Sequence, residues 1–112
     1  MTLFEKIAAG EIPARLVHEA GDFIAFHDVN PQAPVHVLIV PRRPIPRLAE
    51  AQSGDADLLG RMLLAARTIA AALGVAETGY RLVINNGRDA GESVPHLHIH
   101  LLAGRALQWP PG

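Results

Sequence analysis

The chain has 112 residues, the size of one compact domain, and 49% of them are hydrophobic. Its formal net charge is −1, so we expect no general attraction to long nucleic acid or to a membrane surface. It has no cysteine, which excludes disulfides, thiolate nucleophiles and cysteine-based metal sites. We therefore expect one domain over residues 1–112 in the cytoplasm, because no secretory signal or membrane-spanning segment is recognisable.

Two helices are predicted from local patterns. Thr2 and Glu5 fit a capping box at the start of a short helix, which ends at Gly10. Apolar residues then recur at three- and four-residue steps over 58–73, which predicts one long amphipathic helix packed across a sheet. Asp55 is expected to cap this second helix at its start.

Four segments rich in branched or aromatic residues are predicted strands. Prolines after the second and third of them indicate non-helical connections. The four segments are 16–19, 22–28, 35–40 and 80–86.

The most informative stretch is Val94–Leu101, in which three histidines alternate with aliphatic residues. This alternation predicts a half-buried strand whose imidazoles share one face, with neighbouring Cα atoms about 6.5–7 Å apart. Leu97, Ile99 and Leu101 should enter the core from the opposite face. A row of polar rings has little structural use, so it indicates a functional site. The three histidines are His96, His98 and His100.

A loop with two glycines leads directly into these histidines. It spans Asn85–Ser93 and contains Gly87 and Gly91. Glycines let backbone N–H groups point into one concavity, which suits an anion such as phosphate. An ordinary hairpin loop of turn residues is the structural alternative, but long loops in small domains are more often functional.

Two chemistries use clustered histidines. A zinc site needs three or four ligands within about 2–2.2 Å of one ion, whereas three same-face strand positions form a line. No acidic residue on that strand completes a ligand set, and His36 is the one further candidate from another strand. A histidine nucleophile instead attacks phosphorus with one ring nitrogen while the other stays protonated. The pattern favours the nucleophile and predicts no metal.

At this point the sequence resembles a known family. His96–Leu102 matches the His-x-His-x-His-x-x motif of the histidine triad superfamily, with x apolar. Ala25–Asp28, Pro31–His36, Gly91–Ser93 and Trp109–Gly112 are similar to its branch of histidine triad nucleotide-binding proteins. The resemblance covers nearly the whole chain. It implies an α+β fold, with an antiparallel sheet of about five strands, one long helix and a short N-terminal helix, and it implies a homodimer.

The resemblance also implies a purine nucleotide site. His98 matches the nucleophile that becomes nucleotidylated, and His96 and His100 match flanking residues that orient it and contact the phosphate or leaving group. His36 matches a fourth site histidine, and Asp28 the carboxylate that binds the ribose hydroxyls. The other matched positions are Asn85 and Ser93 at the phosphate, with Gly91 and Val94 beside them, Phe4, Ile7, Phe26, His27, Val29 and Leu38 around base and sugar, and Trp109 from the partner subunit.

The implied reaction is hydrolysis of nucleoside 5′-phosphoramidates and acyl-adenylates to release AMP or GMP, with no metal or other cofactor. Hydrolysis of dinucleoside polyphosphates, as in a sister branch, is the alternative, although the terminal Trp-Pro-Pro-Gly is evidence against it. A nucleotide-binding or scaffold module with incidental catalysis is the non-enzymatic alternative. Two residues depart from the branch pattern. Glu92 replaces an expected glutamine and would bring negative charge to the loop unless it points outward, and Pro95 stands where aromatic residues are also found.

Overall fold

A five-stranded antiparallel sheet forms the centre of the fold, as the resemblance implies. The computed structural model describes all residues, 1–112. The strands occur in the spatial order β1-β2-β3-β5-β4, which leaves β1 and β4 at the edges. They are β1 (Leu16–Glu19), β2 (Phe23–His27), β3 (Val35–Pro41), β4 (Tyr80–Val83) and β5 (Ile99–Ala103).

Two α-helices complete the fold, α1 (Leu3–Ala8) and α2 (Ala56–Ala72). The predicted capping box of α1 is confirmed, because the Glu5 backbone N–H donates to the Thr2 hydroxyl (3.1 Å) and the Thr2 N–H donates to the Glu5 carboxylate (3.0 Å). No helix is both long and apolar enough to cross a bilayer.

The prediction that the Asp55 side chain caps α2 is wrong. Asp55 occupies the N-cap position but has helical backbone angles, and its side chain makes no capping hydrogen bond to α2. The carboxylate instead accepts from the Gln52 backbone N–H (2.8 Å) and pairs with Arg43. It therefore closes the short 3₁₀ turn that precedes the helix.

Both faces of the sheet are covered, which explains the nearly continuous apolar runs in β2 and β3. On one face, the main core lies between the sheet and α2. On the other face, Phe4 from α1 packs with alternate residues of the two central strands. Those residues are Ile24, Phe26, Leu38 and Val40.

The histidine stretch is only partly a strand, which corrects the prediction for Val94–Leu101. Strand β5 begins at Ile99, so His100 lies in it while His96 and His98 precede it. The β3–β5 ladder ends at the Ile39–Ile99 pair, and the Leu97 N–H donates instead to the Ile45 carbonyl (2.6 Å). Leu97, Ile99 and Leu101 are nevertheless buried in the main core, as predicted.

Strand β4 is also shorter than the predicted 80–86, because it ends at Val83, opposite His100. The connection from β4 to β5 therefore spans residues 84–98. This long connection carries both the glycine-bearing loop and the first two histidines, and it lies at one end of the central strands.

Candidate active site

Neighbouring strands place two histidines side by side on the face of the sheet that α1 covers. In the β3–β5 register, His100 lies opposite Leu38, and His36 is two residues from Leu38 on the same face. The His36 Nε2 and His100 Nδ1 atoms are 2.9 Å apart. This diagonal contact depends on the strand register, so a one-residue slip would separate the two rings.

His98 lies at the centre of the cluster. Its ring centroid is 4.8 Å from that of His100 and 4.9 Å from that of Phe4, both in edge-on orientations. Its Nδ1 is 2.7 Å from the His96 carbonyl oxygen. Because a carbonyl only accepts, Nδ1 carries a proton, and in the neutral ring Nε2 therefore holds the lone pair. No buried side-chain nitrogen lacks a partner, so this Nε2, which has no protein partner, reaches the surface.

His96 has a different environment, with none of its surface exposed. Its Nδ1 is 2.9 Å from the Thr2 hydroxyl, and its Nε2 is 2.7 Å from the Pro41 carbonyl oxygen. Both ring nitrogens thus have partners within the protein, and the contact of His96 with phosphate or leaving group stays a prediction. Its contribution to the site is the backbone carbonyl that holds His98.

One backbone N–H determines which ring nitrogen carries the proton in neutral His36 and, through it, in neutral His100. The Gln32 backbone N–H donates to His36 Nδ1 (3.0 Å), so the proton of neutral His36 lies on Nε2. That Nε2–H donates to His100 Nδ1, which leaves the proton of neutral His100 on its own Nε2. The Asp28 carboxylate is 3.5 Å from His36 Nε2 and completes this chain.

Burial keeps these rings neutral near pH 7. It lowers the pKa of His100 to about 4, and the neighbouring charges of His98 and His36 act in the same direction. Burial also lowers the pKa of His36 and of His96, although Asp28 partly opposes the shift at His36. The tautomers that the hydrogen bonds define are therefore the relevant states at neutral pH.

A cavity of about 390 Å³ opens beside the cluster and shares Phe4 with it. Its apolar walls come from α1, β2 and β3, and the Asp28 carboxylate lies at its rim, where Oδ1 accepts from the Asn30 N–H (2.9 Å). Nine predicted site residues line it: Phe4, Ile7, Phe26, His27, Asp28, Val29, Leu38, Ser93 and Val94.

Sequence reasoning missed four further lining residues. Gly10, with φ of 78°, turns the chain back along α1, and this turn brings the following loop to the cavity. The sequence predicts that the helix stops at Gly10, but it does not predict the direction in which the chain continues. The missed residues are Leu3, Ile12, Pro13 and Ala14.

Two residues matched to the phosphate side, Asn85 and Gly91, and the tail residue Trp109 lie outside this cavity. Asn85 donates from its side-chain amide to the Ala90 carbonyl (2.7 Å) and so closes the loop on itself. Gly91 has a left-handed backbone conformation, with φ of 80°. Trp109 is 81% exposed on its own chain.

Glu92 does not point outward. Its carboxylate is 15% exposed and accepts two hydrogen bonds from Arg47, at 2.9 and 3.1 Å. The Gly87 N–H also donates to it (3.0 Å). These donors hold the pKa of Glu92 below its usual range, so it remains an anion.

One group of side chains has the composition of a metal site. Ligand atoms of Asp28, His36 and His100 lie within 4.8 Å of one another. A metal-bound histidine normally donates its other ring N–H to an acceptor. His36 instead receives a backbone N–H at Nδ1, so its Nε2 carries a proton where a metal would need a lone pair. The donor set therefore fits a hydrogen-bonded relay and does not fit a cation.

Fold and site together define a domain in which one open imidazole nitrogen lies near an apolar cavity. Residues 9–107 match the family described as HIT domain, so the chain belongs to the HIT, or histidine triad, family. An uncharacterized HIT-like protein from Synechocystis sp. is 53% identical over 111 residues, covering 99% of this chain and 96% of the relative.

Solved structures agree with this assignment. A HIT family hydrolase from Legionella pneumophila superposes with a TM-score of 0.97 at 46% identity, with 100% of both chains covered. A histidine triad nucleotide-binding protein from Candida albicans superposes with a TM-score of 0.84 at 31% identity, covering 98% of this chain and 83% of that one. The fold is thus that of the HIT family hydrolases.

Proposed function

We propose that this protein hydrolyses purine nucleoside 5′-phosphoramidates, and acyl-adenylates, through a nucleotidylated His98. The observation that carries the proposal is the hydrogen bond that fixes the tautomer of the neutral His98 ring. Its Nδ1–H is held by the His96 carbonyl, while its Nε2 lone pair is open to the surface beside a cavity of base and ribose size.

In the first step, the Nε2 lone pair attacks the α-phosphorus and the bond from phosphorus to the leaving nitrogen breaks. The nitrogen departs as an amine after taking a proton from solvent. The positive charge that forms on the His98 ring is stabilised by the bond from Nδ1–H to the His96 carbonyl. The Nε2–H of His100, on a ring 4.8 Å away, can donate to a phosphoryl oxygen as negative charge builds there.

In the second step, water attacks phosphorus, the bond to His98 breaks and a nucleoside monophosphate leaves. The water gives up one proton to solvent, which balances the proton consumed by the amine. His98 returns to its neutral state, with the proton still on Nδ1. No metal takes part in either step.

The cavity supplies specificity for a nucleotide. A planar base fits between apolar walls that include Phe26 and Val29, and the Asp28 carboxylate accepts from the ribose hydroxyls. Burial lowers the pKa of His27, so this cavity residue is neutral at pH 7. Ser93 lies at the end of the cavity that leads to the glycine-bearing loop and offers a hydroxyl to phosphate.

A comparison of leaving groups tests the substrate class. We expect the protein to cleave an adenosine 5′-phosphoramidate with a higher kcat/KM than diadenosine tri- or tetraphosphate. The site has one nucleotide cavity, and the attack by His98 requires a single phosphate group on the substrate. Faster cleavage of the dinucleotides would overturn the proposal. Tight AMP binding with no turnover of either substrate would indicate a binding module.

We also propose that the protein is a homodimer in which Trp109 contributes to the partner's site. Leu63 and Leu64 are 47% and 55% exposed on the outer side of α2, and Trp109 is more exposed still. Strand β4 has one unpaired edge. Exposed apolar side chains and an open strand edge both support association with a second copy.

A further inference from the structure

An ion pair fastens the glycine-bearing loop to a distant part of the chain. Arg47, in the connection after β3, binds both carboxylate oxygens of Glu92, from Nε at 2.9 Å and from Nη2 at 3.1 Å. Its Nη1 pairs with the more exposed Glu50. A bidentate guanidinium–carboxylate pair has a defined geometry as well as a charge, so it fixes the position of Glu92.

Other hydrogen bonds join the same two segments. The Ala49 backbone N–H donates to the Asn86 side chain (2.8 Å), and the Gly87 N–H donates to the Glu92 carboxylate (3.0 Å). Glu92 thus receives donors from both sides of the contact. The segment around Arg47 supports the loop that ends in Ser93, at the mouth of the nucleotide cavity.

The charge of Glu92 lies on the loop that the proposed function assigns to the phosphate. Glu92 is adjacent in sequence to Ser93, which lines the cavity, and Arg47 and the Gly87 N–H hold its carboxylate on the loop that leads into the histidines. An uncompensated carboxylate here would repel a phosphate group. Arg47 is the cation that compensates this charge. Because both side chains are partly buried, solvent and salt screen the attraction between them only weakly.

We propose that Arg47 is a positioning residue of the phosphate site, which neutralises Glu92 and holds the phosphate loop in a form that admits an anionic ligand. This inference rests on the proposed nucleotide function and explains how the site accepts a glutamate on its anion-binding loop. Arg47 acts on the phosphate site through Glu92. Its effect should therefore disappear when the charge of Glu92 is removed.

The test measures the dissociation constants of AMP and of uncharged adenosine at low and high ionic strength. In Arg47→Gln, which keeps hydrogen-bonding capacity but loses the charge, we expect AMP binding to weaken roughly fivefold to tenfold at low salt. Adenosine binding should change less than twofold. The AMP defect should shrink at high salt because screening weakens the repulsion.

Two further variants separate charge from structure. Arg47→Gln/Glu92→Gln should recover most of the AMP affinity lost in Arg47→Gln, and Arg47→Lys should lose less affinity than Arg47→Gln. Arg67→Met is the matched control, since it removes an exposed arginine from α2 without touching the loop. Thermal unfolding of every variant identifies any loss of fold.

The inference is overturned if Arg47→Gln binds AMP like the wild-type protein, if it weakens adenosine equally, or if the double variant is no better than Arg47→Gln. Because the measurement is ligand binding, it does not depend on turnover. A wild-type protein that binds AMP but cleaves no phosphoramidate would refute the proposed activity and leave this inference standing. A wild-type protein that binds no AMP would refute both.

Discussion

Backbone atoms fix the tautomers of the neutral rings in the histidine cluster. Carbonyl oxygens of Pro41 and His96 each accept from one histidine, and the Gln32 N–H donates to another. These groups are fixed by the fold and cannot be removed by side-chain substitution. The open lone pair on His98 is therefore a property of the folded backbone as much as of the histidine motif.

A substitution at Thr2 tests how much the fixed position of His96 contributes to the histidine cluster. In Thr2→Val the His96 Nδ1 loses its donor, and α1 loses its cap. We expect the free energy of unfolding to fall by about 2 kcal/mol and kcat to fall several-fold with little change in KM. Thr2→Ser keeps the hydroxyl and should restore both. Steady-state kinetics and urea unfolding measure these effects, and a Thr2→Val protein with wild-type stability would contradict the assigned hydrogen bond.

The low pKa of His100 predicts a loss of stability in mild acid. The folded pKa is about 4, whereas an unfolded histidine titrates near 6.5, so the unfolded chain takes up this proton first as the pH falls. Stability is complete above about pH 6.5 and declines from there towards pH 4. For this group alone the decline reaches about 2 kcal/mol at pH 5.

Urea unfolding at pH 7 and pH 5 checks this expectation, with His100→Gln as the comparison. His100→Gln should lose less stability between the two pH values than the wild-type protein does. The remaining loss should come from His36 and His96, whose pKa values are also lowered. Equal losses in the two proteins would show that His100 titrates normally in the folded state.

At the scale of elements, sequence patterns predicted the first three strands well. Strands β1, β2 and β3 occur within about one residue of the predicted ranges, because their apolar runs are bounded by clear turn and proline signals. The predicted strand over the histidine stretch begins too early. Alternation shows which side chains are buried, but it does not show where the hydrogen-bonded ladder ends. That end is set by β3, whose last residue, Pro41, is a proline.

A substitution at Gly104 tests the packing between the ends of β5 and β3, whose register sets His36 beside His100. Gly104 follows β5 with φ of 93°, and an added Cβ would lie 2.8 Å from the Pro34 Cβ, just before β3. We expect Gly104→Ala to lower the free energy of unfolding by about 2–3 kcal/mol. Gly74→Ala is the matched control, because it has a similar φ of 75° with open space around it, and should cost about 1 kcal/mol. Equal effects would contradict the steric contact with Pro34.

At the scale of the molecule, the family resemblance predicted most of the cavity wall. What it could not predict were contacts between side chains and distant groups, such as Thr2 with His96, which are 94 positions apart. The pairing of Arg47 with Glu92 spans 45 positions and is equally invisible in sequence spacing. Such contacts follow from how elements pack, so they become visible only in the folded chain.

Sedimentation at micromolar concentration tests the proposed homodimer. We expect a dimer for the wild-type chain and a shift towards monomer for Leu64→Glu, which puts a charge on the exposed face of α2 without entering the core. Arg67→Glu, at another exposed position of α2, controls for added negative charge. A wild-type protein that sediments only as a monomer would remove the basis for a contribution of Trp109 to the partner's site.

The most direct test of the central claim is single-turnover hydrolysis of a fluorogenic adenosine 5′-phosphoramidate. Wild type and His98→Ala are compared, each with and without EDTA. We predict that wild type turns over equally with EDTA, and that His98→Ala loses about three or more orders of magnitude in rate while still binding AMP. Turnover that persists in His98→Ala, or that EDTA abolishes in the wild type, would contradict a metal-free mechanism through this histidine.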